Sequence, residues 1–233
     1  MTGVGCFLRR AAVALAGISL AGNALAQVSG EVSVSSDNEF RGFSLNDNRP
    51  APAAELNFDS SAGWFASGFA SEVRFFSQAS PSAEIALDVG YAQSINSGLT
   101  WELGATSYIF PNFTFYNYNE FFAGLLSNNW STRLYVAPNY FGRSRQTVYA
   151  EFNYSQPLDD HFRLLGHVGA LQGGFQPGNT NARTFDTSVG LGAKLNNVDL
   201  RLNWVAANHQ NYLYPVMMAV SRSEWLLTVA YLY

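Results

Sequence analysis

The chain contains little charge, a single cysteine and no long hydrophobic run. Charged residues make up 13% of it and aromatic residues 15%, whereas a soluble globular domain has about 25% charged residues. The chain therefore has too little charge to cover a large water-exposed surface. No stretch after residue 26 contains the roughly 18 consecutive apolar residues of a membrane-spanning helix, and the mean hydropathy is −0.03. These absences argue against both an ordinary soluble protein and a helical membrane protein.

The first 26 residues have the features of a signal peptide. Arg9 and Arg10 precede an apolar stretch over residues 11–20, and Ala24-Leu25-Ala26 matches the small-x-small cleavage pattern. The apolar stretch is shorter than the roughly 20 residues that span a bilayer. We therefore expect residues 1–26 to be a signal peptide that is cleaved near Ala26, and residues 27–233 to form the exported protein.

Removal of this segment also removes Cys6 and leaves 207 residues without cysteine. An exported protein without disulfides must be held together by a hydrophobic core or by a closed sheet. The mature chain has 11 basic and 17 acidic residues, a net charge of −6. This charge argues against nucleic acid as a partner.

Apolar and polar residues alternate with a period of two in several segments. The clearest one, residues 198–204, reads VDLRLNW, and the pattern recurs over residues 84–91, 101–106, 148–154 and 185–195. A strand of this kind presents an apolar face to lipid and a polar face to a lumen, so its hydropathy averages to neutral. The pattern predicts an all-β protein, a transmembrane antiparallel up-and-down β-barrel in the outer membrane of a Gram-negative bacterium.

Short turn sequences alternate with longer connections along the chain. The turns are at 60–63, 96–98, 127–129, 157–160 and 196–197, and the connections are at 44–50, 74–82, 110–112, 142–145, 173–182 and 207–221. In an outer-membrane barrel the short turns face the periplasm and the longer connections face outward. We predict about twelve strands, with ten or fourteen as alternatives: 28–43, 52–60, 64–73, 84–95, 99–109, 114–126, 130–141, 146–156, 161–172, 183–195, 198–206 and 222–233.

The last predicted strand contains a run of alternating apolar residues: Trp225, Leu227, Val229, Tyr231 and Tyr233. The run resembles the C-terminal signal that is recognised by the barrel assembly machinery, although the final residue of that signal is more commonly phenylalanine. A long apolar edge strand would be an aggregation hazard in water, whereas pairing with the first strand removes the edge. We expect the assembly machinery to be a partner during biogenesis, and outer-membrane lipids and lipopolysaccharide to surround the folded barrel.

The predicted polar faces carry charges of both signs. Their ionisable residues are Glu55, Glu84, Asp88, Glu102, Arg133, Glu151, Arg163, Asp186, Lys194 and Arg201. Such residues can line a water-filled lumen, which about twelve strands would make wider than a side-chain-filled barrel of about eight strands. We favour a narrow channel for passive diffusion of small polar solutes or ions, with weak ion selectivity. A plugged scaffold barrel and an adhesive barrel remain the alternatives.

An outer-membrane lipid hydrolase is a further alternative, and it requires a nucleophile beside a base. The candidate bases are His161, His167 and His209, and no nucleophile motif accompanies them. No His or Cys pair has the spacing of metal ligands either. We predict a protein that is not an enzyme and uses no cofactor or metal.

The N-terminal part of the predicted barrel carries a recognisable motif. Its main residues are Arg41, Gly42, Ser44 and Pro50, accompanied by Ser36, Ala51 and matching positions over residues 61–73. The segment 32–73 resembles the start of the TorF-type porins of proteobacteria, also called the Gcw_chp family, although Glu39 and Ala54 depart from the expected pattern. The resemblance implies an outer-membrane barrel of this size with a pore role. Arg41 could hold a lumen carboxylate with both guanidinium nitrogens, so a gating or loop-anchoring role is our hypothesis for it.

Overall fold

The computed structural model describes residues 27–75, 80–173, 182–208 and 221–233. In these residues twelve antiparallel strands form a closed barrel, and two short strands form a separate hairpin. The strands are β1 (Gln27–Ser35), β2 (Glu39–Phe40), β3 (Phe43–Ser44), β4 (Ala51–Asp59), β5 (Trp64–Val73), β6 (Ser82–Asn96), β7 (Leu99–Ile109), β8 (Tyr118–Ser127), β9 (Trp130–Ala137), β10 (Thr147–Pro157), β11 (Phe162–Gly173), β12 (Ala182–Leu195), β13 (Val198–Asn208) and β14 (Ser221–Leu232). The predicted fold class and the count of twelve wall strands are confirmed. Within the described ranges, no helix is both long and apolar enough to cross a membrane.

Each wall strand pairs with its neighbours in the chain, and β14 pairs with β1 to close the barrel. Short turns join the strands at the end where Gln27 and Tyr233 lie, and longer connections join them at the other end. The alternation that the turn sequences predicted is therefore present. In a barrel of this type the short turns mark the periplasmic end.

The outer surface of the barrel is apolar on all twelve wall strands. Examples from different sides are Val34, which is 53% exposed, Leu103 at 52%, Val168 at 54% and Trp225 at 64%. A continuous apolar surface of this kind is suited to lipid rather than water. The period-two pattern therefore arises as predicted, because apolar side chains point outside and polar side chains point inside.

The prediction was wrong for parts of three strands. The predicted strand 28–43 ends in the wall at Ser35, because residues 36–50 leave the wall and β2 and β3 form a hairpin inside the barrel. The predicted strand 114–126 begins only at Tyr118, since Thr114–Tyr116 form a 3-10 turn. The predicted strand 130–141 ends at Ala137, and Tyr140–Gly142 form a second 3-10 turn.

Candidate functional site in the barrel lumen

Most of the predicted lumen residues lie on the inner face of the wall. Seven have at most 7% of their surface exposed: Glu55, Glu84, Glu102, Arg133, Glu151, Asp186 and Arg201. Asp88 also points inward, where it accepts hydrogen bonds from Ser67 and Thr106. Arg163 contacts Asp199 inside the barrel, while Lys194 is exposed at the periplasmic end of β12.

The 36–50 connection enters the lumen as a tight hairpin. Phe40 pairs with Phe43 across a two-residue loop, in which Arg41 has φ +51° and Gly42 has φ +74°. Two positive φ values are the pattern of a type I′ turn, and glycine adopts such a conformation without steric cost. Phe40 and Phe43 are each 2% exposed and Leu45 is fully buried. The hairpin tip is therefore held inside the barrel by apolar side chains on both of its strands.

The side chain of Arg41 forms an ion pair with Glu120 on the inner face of β8. Its Nη1 and Nη2 donate to the two carboxylate oxygens of Glu120 at 2.8 and 2.6 Å. The guanidinium carbon also lies 4.2 Å from the ring centroid of Tyr149, 5.1 Å from that of Tyr135 and 5.6 Å from that of Tyr140. We call Glu120, Tyr135, Tyr140 and Tyr149 the guanidinium cage. It combines a bidentate carboxylate with three π faces, and both features favour a planar cation.

The base of the hairpin is tied to the wall by other residues of the motif region. Asn38 donates a hydrogen bond to Glu84 on β6 at 3.2 Å. Ser44 donates to Asp37 at 2.8 Å, and Asn46 donates to the carbonyl oxygen of Pro50 at 3.1 Å. These contacts explain why Ser44 and Pro50 accompany Arg41 and Gly42, because all four residues shape the same in-folded connection.

Three further ion pairs cross the inner face of the wall. Arg133 binds Glu102, with Nη2 to Oε2 at 2.8 Å. Arg163 donates to both oxygens of Asp199 at 2.9 Å. A third pair joins Arg201 to Glu31 at 2.6 Å. Each of the four arginines inside the described part of the barrel, Arg41 included, therefore faces a carboxylate.

A polar cluster surrounds His167 on the opposite side of the hairpin tip. His167 Nε2 lies 2.6 Å from Asp186 Oδ2, and its Nδ1 lies 2.7 Å from Asn153 Oδ1. Tyr149 donates to Asp186 at 3.0 Å. Ser188 lies opposite His167 on the neighbouring strand, and no hydrogen bond joins its hydroxyl to His167.

The remaining candidates for catalysis and metal binding are His161 and His209. His161 lies in the exposed turn between β10 and β11, and His209 is outside the described residues. Among the residues that the structure describes, no group of three or more His, Cys, Asp or Glu residues could hold a metal ion.

Six carboxylates of the lumen were not among the predicted site residues: Glu31, Asp37, Glu39, Glu120, Asp199 and Glu224. Glu31 and Asp199 lie on polar faces of alternating segments, and that signal could have identified them. The strand that carries Glu120 lies in a run of aromatic residues, Phe113 to Phe122, whose two faces cannot be told apart by periodicity. Its position inside the barrel became visible only in the structure.

Residues 21–231 match the family model described as "Bacterial protein of unknown function (Gcw_chp)". The chain belongs to the Gcw_chp family. The predicted resemblance to this family is confirmed over most of the chain. No curated protein sequence matches this chain.

The barrel of this Gcw_chp protein is similar to those of solved porins. The KdgM porin has 11% sequence identity and a TM-score of 0.53, with 89% of this chain and 98% of that chain covered. The NanC porin has 9% identity and a TM-score of 0.53, with 88% and 99% covered. KdgM in complex with disordered oligogalacturonate has 11% identity and a TM-score of 0.50, with 89% and 98% covered. At these identities the likeness establishes the fold of an outer-membrane porin.

Proposed function

We propose that this Gcw_chp protein is a narrow outer-membrane channel of the TorF porin type, through which small polar solutes or ions diffuse passively. The observation that carries the proposal is the polar inner wall. At least ten of the twelve wall strands place an ionisable side chain inside the barrel, from Glu31 on β1 to Arg201 on β13. Burial of so many charges is costly unless they are paired; the arginines offset part of this cost, and a water-filled passage between the paired groups would offset the rest.

The fold supports a channel and an outer-membrane location. Porins with the same barrel architecture are known, and KdgM and NanC are named as such. The apolar exterior suits contact with membrane lipids, and with lipopolysaccharide at the outer leaflet. Cleavage of residues 1–26 as a signal peptide is part of the proposal, because a protein of this location must be exported.

A plugged scaffold barrel is the second candidate, and one observation favours it. The 36–50 hairpin and the aromatic side chains around it, including Phe110, Tyr118 and Phe141, form a buried apolar cluster within the barrel. A barrel in which this cluster never moves would not conduct. A lipid hydrolase has less support, because His167 is only 6% exposed and lies inside the barrel, away from the lipid-facing surface.

Planar-bilayer recording of the mature protein separates these candidates. We expect discrete conductance steps from protein that was expressed in a porin-deficient host and shows heat-modifiable migration on gels. The second sample is a variant in which a short Gly-Ser linker replaces residues 38–45. It should conduct more than the natural chain, since the hairpin tip is gone. A folded barrel that insulates both with and without the hairpin would disprove the channel and leave the scaffold.

A further inference from the structure

The inside of the barrel contains many more carboxyl groups than basic groups. Twelve carboxylates lie within the described part of it: Glu31, Asp37, Glu39, Glu55, Glu84, Asp88, Glu102, Glu120, Glu151, Asp186, Asp199 and Glu224. Only four arginines accompany them: Arg41, Arg133, Arg163 and Arg201. Lys194 at the periplasmic rim adds one more basic group. A passage lined predominantly by one sign of charge concentrates ions of the opposite sign, so this lumen favours cations.

The narrow region beside the hairpin tip already holds a cation of known chemistry. The guanidinium of Arg41 is bound by two oxygens of Glu120 and lies against the rings of Tyr135 and Tyr149. Glu120, Tyr135 and Tyr149 belong to the wall strands β8, β9 and β10, and Tyr140 lies in the 3-10 turn after β9, whereas Arg41 belongs to the connection that folds into the lumen. Three of the four cage residues are thus fixed on wall strands. The cage is a site for a planar cation, and the chain's own arginine occupies it.

Further acceptors lie beside the cage. A cavity of about 30 Å³, large enough for a water molecule, lies between the hairpin tip and strands β11 to β14. Three buried oxygens of its lining residues have no hydrogen-bond partner: Asp186 Oδ1, Ser188 Oγ and Asn203 Oδ1. Buried acceptors without donors are costly, and N–H groups of a solute would satisfy them. The cavity thus extends the cage with positions for the remaining donors of a cationic solute.

We propose that the channel selects cations, and that the guanidinium cage is its solute-binding site, with Arg41 as an internal ligand in the closed state. Solutes that carry a guanidinium or a primary ammonium group replace Arg41 at Glu120 and so move the hairpin tip. The inference rests on the proposed channel function and names the class of solute. An acidic oligosaccharide, such as the oligogalacturonate in the KdgM complex, would be repelled by the same lumen.

Ion selectivity is tested by the reversal potential across a bilayer in a KCl gradient. We expect a reversal potential close to that of potassium, because the carboxylates exceed the arginines. The experiment uses the mature protein and the linker variant of residues 38–45, so that selectivity is measured with the hairpin present and absent. A reversal potential near zero or near that of chloride would overturn the inference while leaving the channel intact.

The role of Arg41 as an internal ligand is tested by removing its side chain and adding free guanidinium. Arg41→Ala should raise the open probability about tenfold or more, because the two charge-assisted hydrogen bonds to Glu120 are lost from the closed state. Guanidinium chloride should then reduce this current by filling the cage, while the same concentration of tetramethylammonium chloride should not. The double variant Arg41→Ala/Glu120→Gln should conduct and lose the response to guanidinium. Arg143→Ala, which removes an exposed arginine of the 138–146 connection, should behave like the natural chain.

The recordings distinguish a failure of the cage as a binding site from a failure of the channel itself. Arg41→Ala current that guanidinium does not change, or that it changes equally in the double variant, would overturn the cage as a binding site and leave the channel. An absence of current from every folded variant, the linker variant included, would overturn the channel and this inference together. Heat-modifiable migration of each variant establishes that it has folded before recording.

Discussion

Each arginine of the lumen forms an ion pair with a carboxylate, and three of these four pairs are buried. Arg133 and Glu102 illustrate this, since their side chains are 2% and 3% exposed. The guanidinium of Arg133 also lies 4.6 Å from the ring centroid of Phe122. A buried pair adds little net stability when it is intact, but removal of one partner leaves a charge without compensation. Single substitutions in such pairs are therefore informative.

We predict that Glu102→Gln lowers the free energy of unfolding by about 3 kcal/mol, because Arg133 remains buried without its carboxylate. The double variant Glu102→Leu/Arg133→Met should lose less, since no charge is left unpaired. Urea unfolding in lipid vesicles, followed by tryptophan fluorescence, measures both.

The exposed pair Arg49–Asp47 provides the control, with side-chain exposures of 48% and 20%. Arg49→Ala should change the unfolding free energy by at most about 1 kcal/mol. Equal effects of Glu102→Gln and Arg49→Ala would show that the lumen pair is fully hydrated and not buried.

The short turns are stabilised by local hydrogen bonds, and the turn between β10 and β11 shows how. The carboxylate of Asp159 accepts hydrogen bonds from the backbone N–H of His161 at 2.8 Å and from that of Phe162 at 2.7 Å. Hydrogen bonds from Phe162 and then His161 lower the pKa of Asp159 below its ordinary value of 3.8. A side-chain acceptor at this position closes the turn in the manner of an Asx turn.

This lowered pKa predicts a pH dependence. The carboxylate contributes stability while it is ionised, above pH 3.8, and the contribution is lost as the pH falls through the lowered pKa. At neutral pH, Asp159→Ala should unfold at a lower temperature than the natural chain, and the difference should vanish in strong acid. Asp160→Ala, in the same turn, is the matched control. A difference between Asp159→Ala and the natural chain that is independent of pH would refute this role.

The whole molecule depends on one long-range contact, the seam between β1 and β14. Gly30 and Tyr233 exchange two backbone hydrogen bonds, at 3.0 and 3.1 Å. The ring of Tyr233 covers Gly30 so closely that a Cβ there would come within 2.4 Å of it. A glycine covered by an aromatic ring from the next strand is a known device for fixing strand register. Tyr233 therefore has a packing role in closure besides its predicted role in assembly.

We expect Tyr233→Ala to lower the thermal midpoint of heat-modifiable migration, with a loss of about 1 kcal/mol for the ring contact. Tyr231→Ala is the comparison, because Tyr231 is on the same strand and is 50% exposed to the outside. If the two variants are equally stable, the ring of Tyr233 does not support the seam. A lower yield of folded Tyr233→Ala in cells, with unchanged stability after refolding, would instead point to recognition by the assembly machinery.

The sequence alone determined the features that depend on near neighbours. Alternation over residues 198–204 assigned Asp199 and Arg201 to the inside, because the side chains of a strand switch faces at every residue. Turn residues such as those at 60–63 and 196–197 placed the short turns for the same local reason. The Gcw_chp family was also identifiable from residues 32–73, since its motif is a continuous segment.

Only the tertiary structure decided what fills the lumen. The sequence predicts a first strand as far as residue 43, yet residues 36–50 turn inward, because Phe40 and Phe43 are buried against rings from distant strands. Arg41 meets Glu120 across 79 residues of chain, and no local pattern encodes such a pairing. The structure also enlarged the excess of acidic over basic residues in the lumen. The predicted lumen residues comprise six acids and four bases, whereas barrel closure and the inward hairpin bring together twelve carboxylates and four arginines.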